Sequence, residues 1–246
     1  MNDNPATAPL DRRGMPFNSG ARQPSNGGLA ALDHRKLGTA ATLELRRLVV
    51  AVPPKGRRVI VDVVVHGGLS VLQANPAEAT AVARVLGGLA PPVSGSVLVN
   101  RREVTDLPPA ERHIAVVPAG GALLPHLTIG ENFRYGRRGR HSVTAIARIH
   151  EQRLIDQLEL APIIDLLPHE VSARQRLRAA LGRAALCLPE TMVWVLPDAS
   201  VTGERIRRTL DRIAAPELPA LTTLVCSADQ AALTQADEVV LPGVAG

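Results

Sequence analysis

Few side chains in this sequence stand at spacings that do chemistry. His113, His126, His141, His150 and His169 carry imidazoles, but none has metal-ligand spacing. Cys187 and Cys226 lie in apolar stretches without a CxxC partner, which suits reduced core thiols better than a disulfide or a zinc site. Ser227, followed by Ala228, lacks the GxSxG context of a nucleophile elbow. The clearest local arrangement is Asn75-Pro76-Ala77-Glu78. A cap residue, a proline at the first helical position and a glutamate at the third predict a capping-box-like start, so this helix caps itself. No catalytic constellation emerges from the residues alone.

The elements that position these groups are legible in the apolar pattern. Short β-branched runs separated by turn signals predict strands at Val59–Val65, Leu69–Leu72, Val97–Val99, Ile114–Val117, Met192–Leu196 and Leu221–Cys226. Apolar residues recurring every three or four positions predict helices at Ala77–Leu86, Val143–Leu160, Ser172–Leu186 and Arg205–Ile213. The last two strands each follow a helix, which implies parallel pairing with helices packed on a sheet, an α/β domain. Residues 1–38 mix Asn, Pro, Gly, Ser and Arg without periodicity and read as a disordered arm, within which Met15 is an alternative start; residues 39–246 read as the domain.

Composition narrows the function classes. With 246 residues the chain is long enough for a full core. No apolar run approaches the roughly 20 residues needed to cross a bilayer. Its first residues lack the pattern of a secretory signal, so the expected location is cytoplasmic, with peripheral attachment to the cell membrane through a partner. The net charge of +5 is spread over small arginine groups with acids between them, and aromatic residues make up 2% of the chain. That pattern reads as a solvated basic face rather than a nucleic-acid surface.

From about Leu43 to Gly243 the order of landmarks resembles the ATPase subunits of ABC importers, particularly the group serving molybdate, iron, sulfate and sugars. Pro92, Ser94, Gly95 and the run from Val97 to Arg112 are similar to "PxSGxVxxxGxDVTxLPPxxR". Ile114–Thr128 with Glu131 and Asn132 is similar to "IAxVxQxxALFPHLTVxEN". Pro168–Arg183 resembles "PxxLSGGQxQRVALARAL", and Asp229, Gln230, Ala236 and Asp237 resemble "THDxxEAxxxADRV". The resemblance implies a P-loop NTPase-like ABC-ATPase fold: a mostly parallel sheet core, an antiparallel β subdomain and a helical signature subdomain.

The same alignment implies departures at the nucleotide positions. A phosphate loop of the form GxxxxGK[ST] lets backbone N–H groups approach the phosphates while its lysine neutralises them. Here Gln73-Ala-Asn75-Pro-Ala-Glu78-Ala79-Thr80 fills that register, with Ala79 at the lysine position and Thr80 at the magnesium hydroxyl. Glu78 adds a carboxylate there; like charges about 4 Å apart repel by roughly 1 kcal/mol in water and about 4 kcal/mol at a protein-like dielectric. Val195 and Leu196 fill the positions of the magnesium-binding aspartate and the water-polarising glutamate, Ala119 that of the magnesium-sensing glutamine, and Ala228 that of the γ-phosphate histidine. In the signature, Ser172 and Gln175 match while Ala173 and Arg174 replace glycines. Asp198, just past this strand, reads as a turn or capping carboxylate.

The expectation from these departures is a pseudo-ATPase: a non-catalytic partner or scaffold of an importer, with a degenerate Walker A loop and neither ATP nor magnesium as cofactor. Its expected partners are a transporter membrane subunit, a second ATPase subunit in a homo- or heterodimer, or both. Leu123, Leu124, Pro125, His126, Leu127, Thr128, Glu131 and Asn132 form the expected docking face. Two alternatives stand beside it. One is an ATP- and magnesium-dependent subunit working through a composite site with an active partner; the other is a soluble regulator on the same fold.

Overall fold

The strand pattern builds two sheets that share one core. The computed structural model describes residues 42–54, 56–136, 145–196, 203–213 and 221–244. The expected arm, Met15, His141 and Asp198 lie outside the described residues.

The first sheet is antiparallel. It contains β1 (Thr42–Val52), β2 (Arg57–His66), β4 (Ser94–Val99), β5 (Arg102–Glu103) and, at its other edge, β10 (Gly243–Val244), in the order β10-β2-β1-β4-β5. The second joins β6 (Ile114–Val117), β7 (Thr191–Val195), β8 (Thr222–Ser227), β3 (Leu69–Gln73) and β9 (Glu238–Val240) in that order, and each of its pairings is parallel. The helices are α1 (Pro76–Leu86), α2 (Ile129–Tyr135), α3 (Ala145–Gln157), α4 (Ala173–Leu186), α5 (Gly203–Ile213) and α6 (Gln230–Leu233).

Period-two alternation in β7 shows how the layers meet. Val193 and Val195 pack with α1 and the antiparallel sheet, in a cluster that includes Leu45, Val61 and Val82. Met192, Trp194 and Leu196 face the opposite way, among Phe133, Leu158 and Leu181 of the helical layer. A strand buried on both faces reads as one continuous apolar run, which is why it was visible in the sequence.

Several elements escaped the sequence reading. In β1 the pair Arg46-Arg47 interrupts the alternation because the strand bulges there: the register with β2 shifts between Leu45 and Leu48, and Arg47 adopts φ 43° with its N–H donating to Asp62 Oδ1. Gly95 of β4 lies against this bulge, and a Cβ at that position would come within 2.3 Å of Arg47 O. The seven-residue α2 is too short for periodicity to reveal.

Candidate functional site

The carboxyl ends of β3, β6, β7 and β8 gather the positions singled out in the sequence. Gln73 pairs in register with Ser227, Val195 with Cys226, and Val117 with Trp194, so Gln73, Ala119, Val195, Leu196 and Ala228 all lie at or just beyond one edge of the parallel sheet. Ligands of open α/β sheets bind outside such an edge. Gln73, Ala119 and Ala228 are exposed, whereas Val195 and Leu196 are buried.

The segment after β3 is held by its own side chains. Ala74 N–H donates to Ser227 O at 3.1 Å, tying the turn to β8. Asn75, extended at φ −68° and ψ 166°, accepts through Oδ1 from the N–H groups of Ala77 and Glu78, both at 3.1 Å. Glu78 Oε2 in turn accepts from Asn75 N–H at 3.0 Å, completing the expected capping box. Ala79 is buried, and the exposed Thr80 hydroxyl donates to Pro76 O at 2.7 Å.

Sequence reasoning missed Arg57. From β2, in the other sheet, its guanidinium donates to Glu78 Oε1 at 2.5 Å. Glu78 is 8% exposed, and its carboxylate is already balanced by a cation. No local spacing could reveal a partner 21 residues away in a different layer.

The expected docking segment follows β6. Gly120 and Gly121 turn the chain at φ 78° and 82°, and Ala122 follows at φ 43°. Pro125, His126 and Glu131 are exposed, while Leu123, Leu124, Leu127 and Thr128 are half-buried. Thr128 caps α2 in a reciprocal capping box with Glu131. Asn132 corrects the expectation: it is fully buried, accepts from Leu124 N–H, and donates to the carbonyls of Leu124, Leu127 and Thr128. Its amide shapes the loop from inside and has no surface to offer a partner.

The signature-like residues sit on α4, apart from the strand ends. Ser172 caps that helix, its Oγ accepting from Gln175 N–H at 3.3 Å while Gln175 Oε1 accepts from Ser172 N–H at 2.9 Å. Ser172, Ala173 and Arg174 are exposed; Val171 and Pro168 are buried beneath them.

Residues 74–194 match the family described as ABC transporter, and solved ABC cassettes share the fold. The chain has the ABC-ATPase fold. A dimeric bacterial ABC transporter cassette superposes with a TM-score of 0.63 at 18% identity, covering 81% of this chain and 93% of that one. The ATP-binding subunit of another ABC transporter superposes at 0.64 with 19% identity, covering 81% and 85%. Among curated proteins, the putative 2-aminoethylphosphonate import ATP-binding protein of Salmonella paratyphi A is 30% identical over 163 residues, 65% of this chain and 44% of that protein. The sn-glycerol-3-phosphate import ATP-binding protein of Bordetella avium is 32% identical over 160 residues, 64% of this chain and 44% of that one. The chain thus matches less than half the length of these curated relatives.

These relatives overturn the expectation of a pseudo-ATPase without ATP or magnesium, and with it the description of the loop as a degenerate Walker A: proteins similar to this chain over nearly two thirds of its length are named as import ATP-binding proteins. Physically, the expectation counts Glu78 as an unmatched charge, whereas Arg57 pairs with it.

Proposed function

We propose that this cassette is the ATP-dependent subunit of a solute importer, peripheral on the cytoplasmic face of the membrane, and that it works through a composite site with a second cassette. Similarity to importer ATP-binding proteins carries this reading. The assignment to importers of molybdate, iron, sulfate or sugars belongs to the same proposal, beside the phosphorus-containing solutes for which the two relatives are named. Among the described residues, no helix is long and apolar enough to cross a membrane, which fits a partner embedded in it.

The two faces of the chain fit a nucleotide differently. At the strand ends Val195 and Leu196 offer magnesium no oxygen, and the Thr80 hydroxyl is committed to Pro76 O. Magnesium and a phosphate-loop lysine are therefore supplied by the partner cassette. On the signature side, exposed Ser172, Ala173 and Arg174 crown the N-terminus of the 14-residue α4, where helix dipole and guanidinium both favour phosphate oxygens. ATP bound on the partner's loop would be closed over by this turn. Arg174 would supply the cation, and Ser172 a hydroxyl once its capping bond is shared.

The test is association with the cassette bearing an intact phosphate loop that co-purifies with the tagged chain, followed by analytical ultracentrifugation. Mg-ATP is expected to tighten the heterodimer, and Arg174→Glu to weaken that response at least about tenfold. Association that ignores Mg-ATP, together with an unshifted melting temperature for the pair, would overturn the composite site.

A further inference from the structure

Three arginines converge on one carboxylate just after α3, where that helix meets α4 and α5. The turn there is closed by the N–H groups of Glu159 on Asp156 O at 3.1 Å and of Leu160 on Ile155 O at 2.9 Å. Glu159 holds the left-handed conformation, φ 53°, at a helix end where glycine is the usual residue. From that position its side chain reaches both neighbouring helices. Arg178 Nη1 donates to Glu159 Oε2, and Arg212 Nη1 stands 3.6 Å from Glu159 Oε1 while donating to Gln157 O at 3.4 Å. Arg174 lies one turn before Arg178 on the same face of α4. Arg178 foremost, then Arg212 and Arg174, hold the Glu159 carboxyl below the usual carboxylate range.

The charges do not cancel. Three cations around one anion leave an excess of two positive charges, and Arg174, Arg212 and Glu159 are all exposed. Each guanidinium carries five N–H donors in a fork that matches a carboxylate, so the contacts to Glu159 use only part of what the cluster offers. Glu159 itself shows which ligand chemistry the cluster takes. The excess is also confined: Asp156, three residues before Glu159, and Asp211, beside Arg212, are exposed carboxylates that would repel a wide anionic surface. A bilayer or a nucleic-acid duplex spreads its charge over such a width, whereas a short acidic stretch of protein does not.

We infer that Arg174, Arg178 and Arg212 form a docking site for an acidic segment of a partner protein, with Glu159 as its built-in competitor. The partner's carboxylates take the remaining N–H groups of Arg174 and Arg212, while Arg178 holds Glu159. The site adjoins the turn proposed to meet a second cassette's nucleotide and shares Arg174 with it, but needs no nucleotide itself.

Fluorescence anisotropy of a labelled hexaglutamate peptide against the full chain, without nucleotide and at low ionic strength, tests the site independently of the composite ATP site. Arg212→Gln and Arg174→Gln should each weaken binding at least about fivefold, and Glu159→Gln should tighten it by a similar factor, because the competing carboxylate is gone. Arg102→Gln, exposed on β5 of the other sheet, should leave it within about twofold. The sign at Glu159 is decisive: a merely structural ion pair would make its loss neutral or harmful, and either result overturns the inference. An equal loss with Arg102→Gln overturns it as well, since the peptide would then be drawn to any basic surface, and so does the absence of saturable binding by the native chain. Binding to phosphatidylserine vesicles that disappears in Arg212→Gln would also overturn it, by assigning the cluster to a membrane.

Discussion

At the scale of single residues, the buried Arg112 shows how a charge is held by backbone carbonyls. Its Nε donates to Leu107 O at 2.7 Å and Nη1 to Val85 O at 2.8 Å and Leu86 O at 3.3 Å, with Nη2 on Thr105 O. Two of those carbonyls end α1, where a cation also complements the helix dipole. Burial lowers the Arg112 pKa and Asp106 opposes that shift. Arg112→Met strands several acceptors at once and should cost about 2–4 kcal/mol in urea denaturation, whereas a loss within about 0.5 kcal/mol would show that water replaces the guanidinium. Cys226 makes a contrasting case: burial pushes its thiol up to about 12. A raised folded pKa means that its contribution to stability is complete below the unfolded value of about 8.5 and is lost as pH climbs from there toward 12. In native protein at pH 8, iodoacetamide should label the half-buried Cys187 and leave Cys226 unmodified; equal labelling would show that β8 opens readily.

At the scale of elements, α4 depends on how closely α2 can approach. Gly182→Ala places a methyl against the Phe133 ring and should cost about 1–3 kcal/mol by forcing the helices apart, read as a lower urea midpoint at unchanged slope. The same elements show what the sequence could and could not reveal. Ile114–Val117 was visible because both faces of its sheet are covered, and the start of α1 because Asn75, Pro76 and Glu78 act on one another locally. The strand Thr42–Val52 was hidden by its Arg46-Arg47 bulge, and the helix Ile129–Tyr135 by its length, although Thr128 and Glu131 carry its capping signature. Arg57 was hidden for a different reason: its meaning comes from a pairing across two layers. The error about nucleotide was of that kind too. Reading Glu78 as an unmatched charge left out its partner Arg57, which lies in the other sheet.

At the scale of the whole molecule, the parallel sheet is a wall common to both cores. Leu224 of β8 packs on the side of α1 and the antiparallel sheet, while Met192 of β7 packs on the helical side, and both are fully buried. Neither layer can expose its face of the sheet without stripping the other of half its support, so the described domain should unfold as one cooperative unit. The single tryptophan of the sequence, Trp194, lies on the helical side and reports that layer by fluorescence, whereas far-ultraviolet circular dichroism reports every strand and helix. In urea the two signals should trace one transition. Leu224→Ala and Met192→Ala should each move both signals together, by about 2–5 kcal/mol, although only Met192 shares a cluster with the tryptophan. If Leu224→Ala instead shifted the dichroism and left the fluorescence midpoint in place, the helical layer would be folding on its own, and the two faces of the parallel sheet would not be coupled.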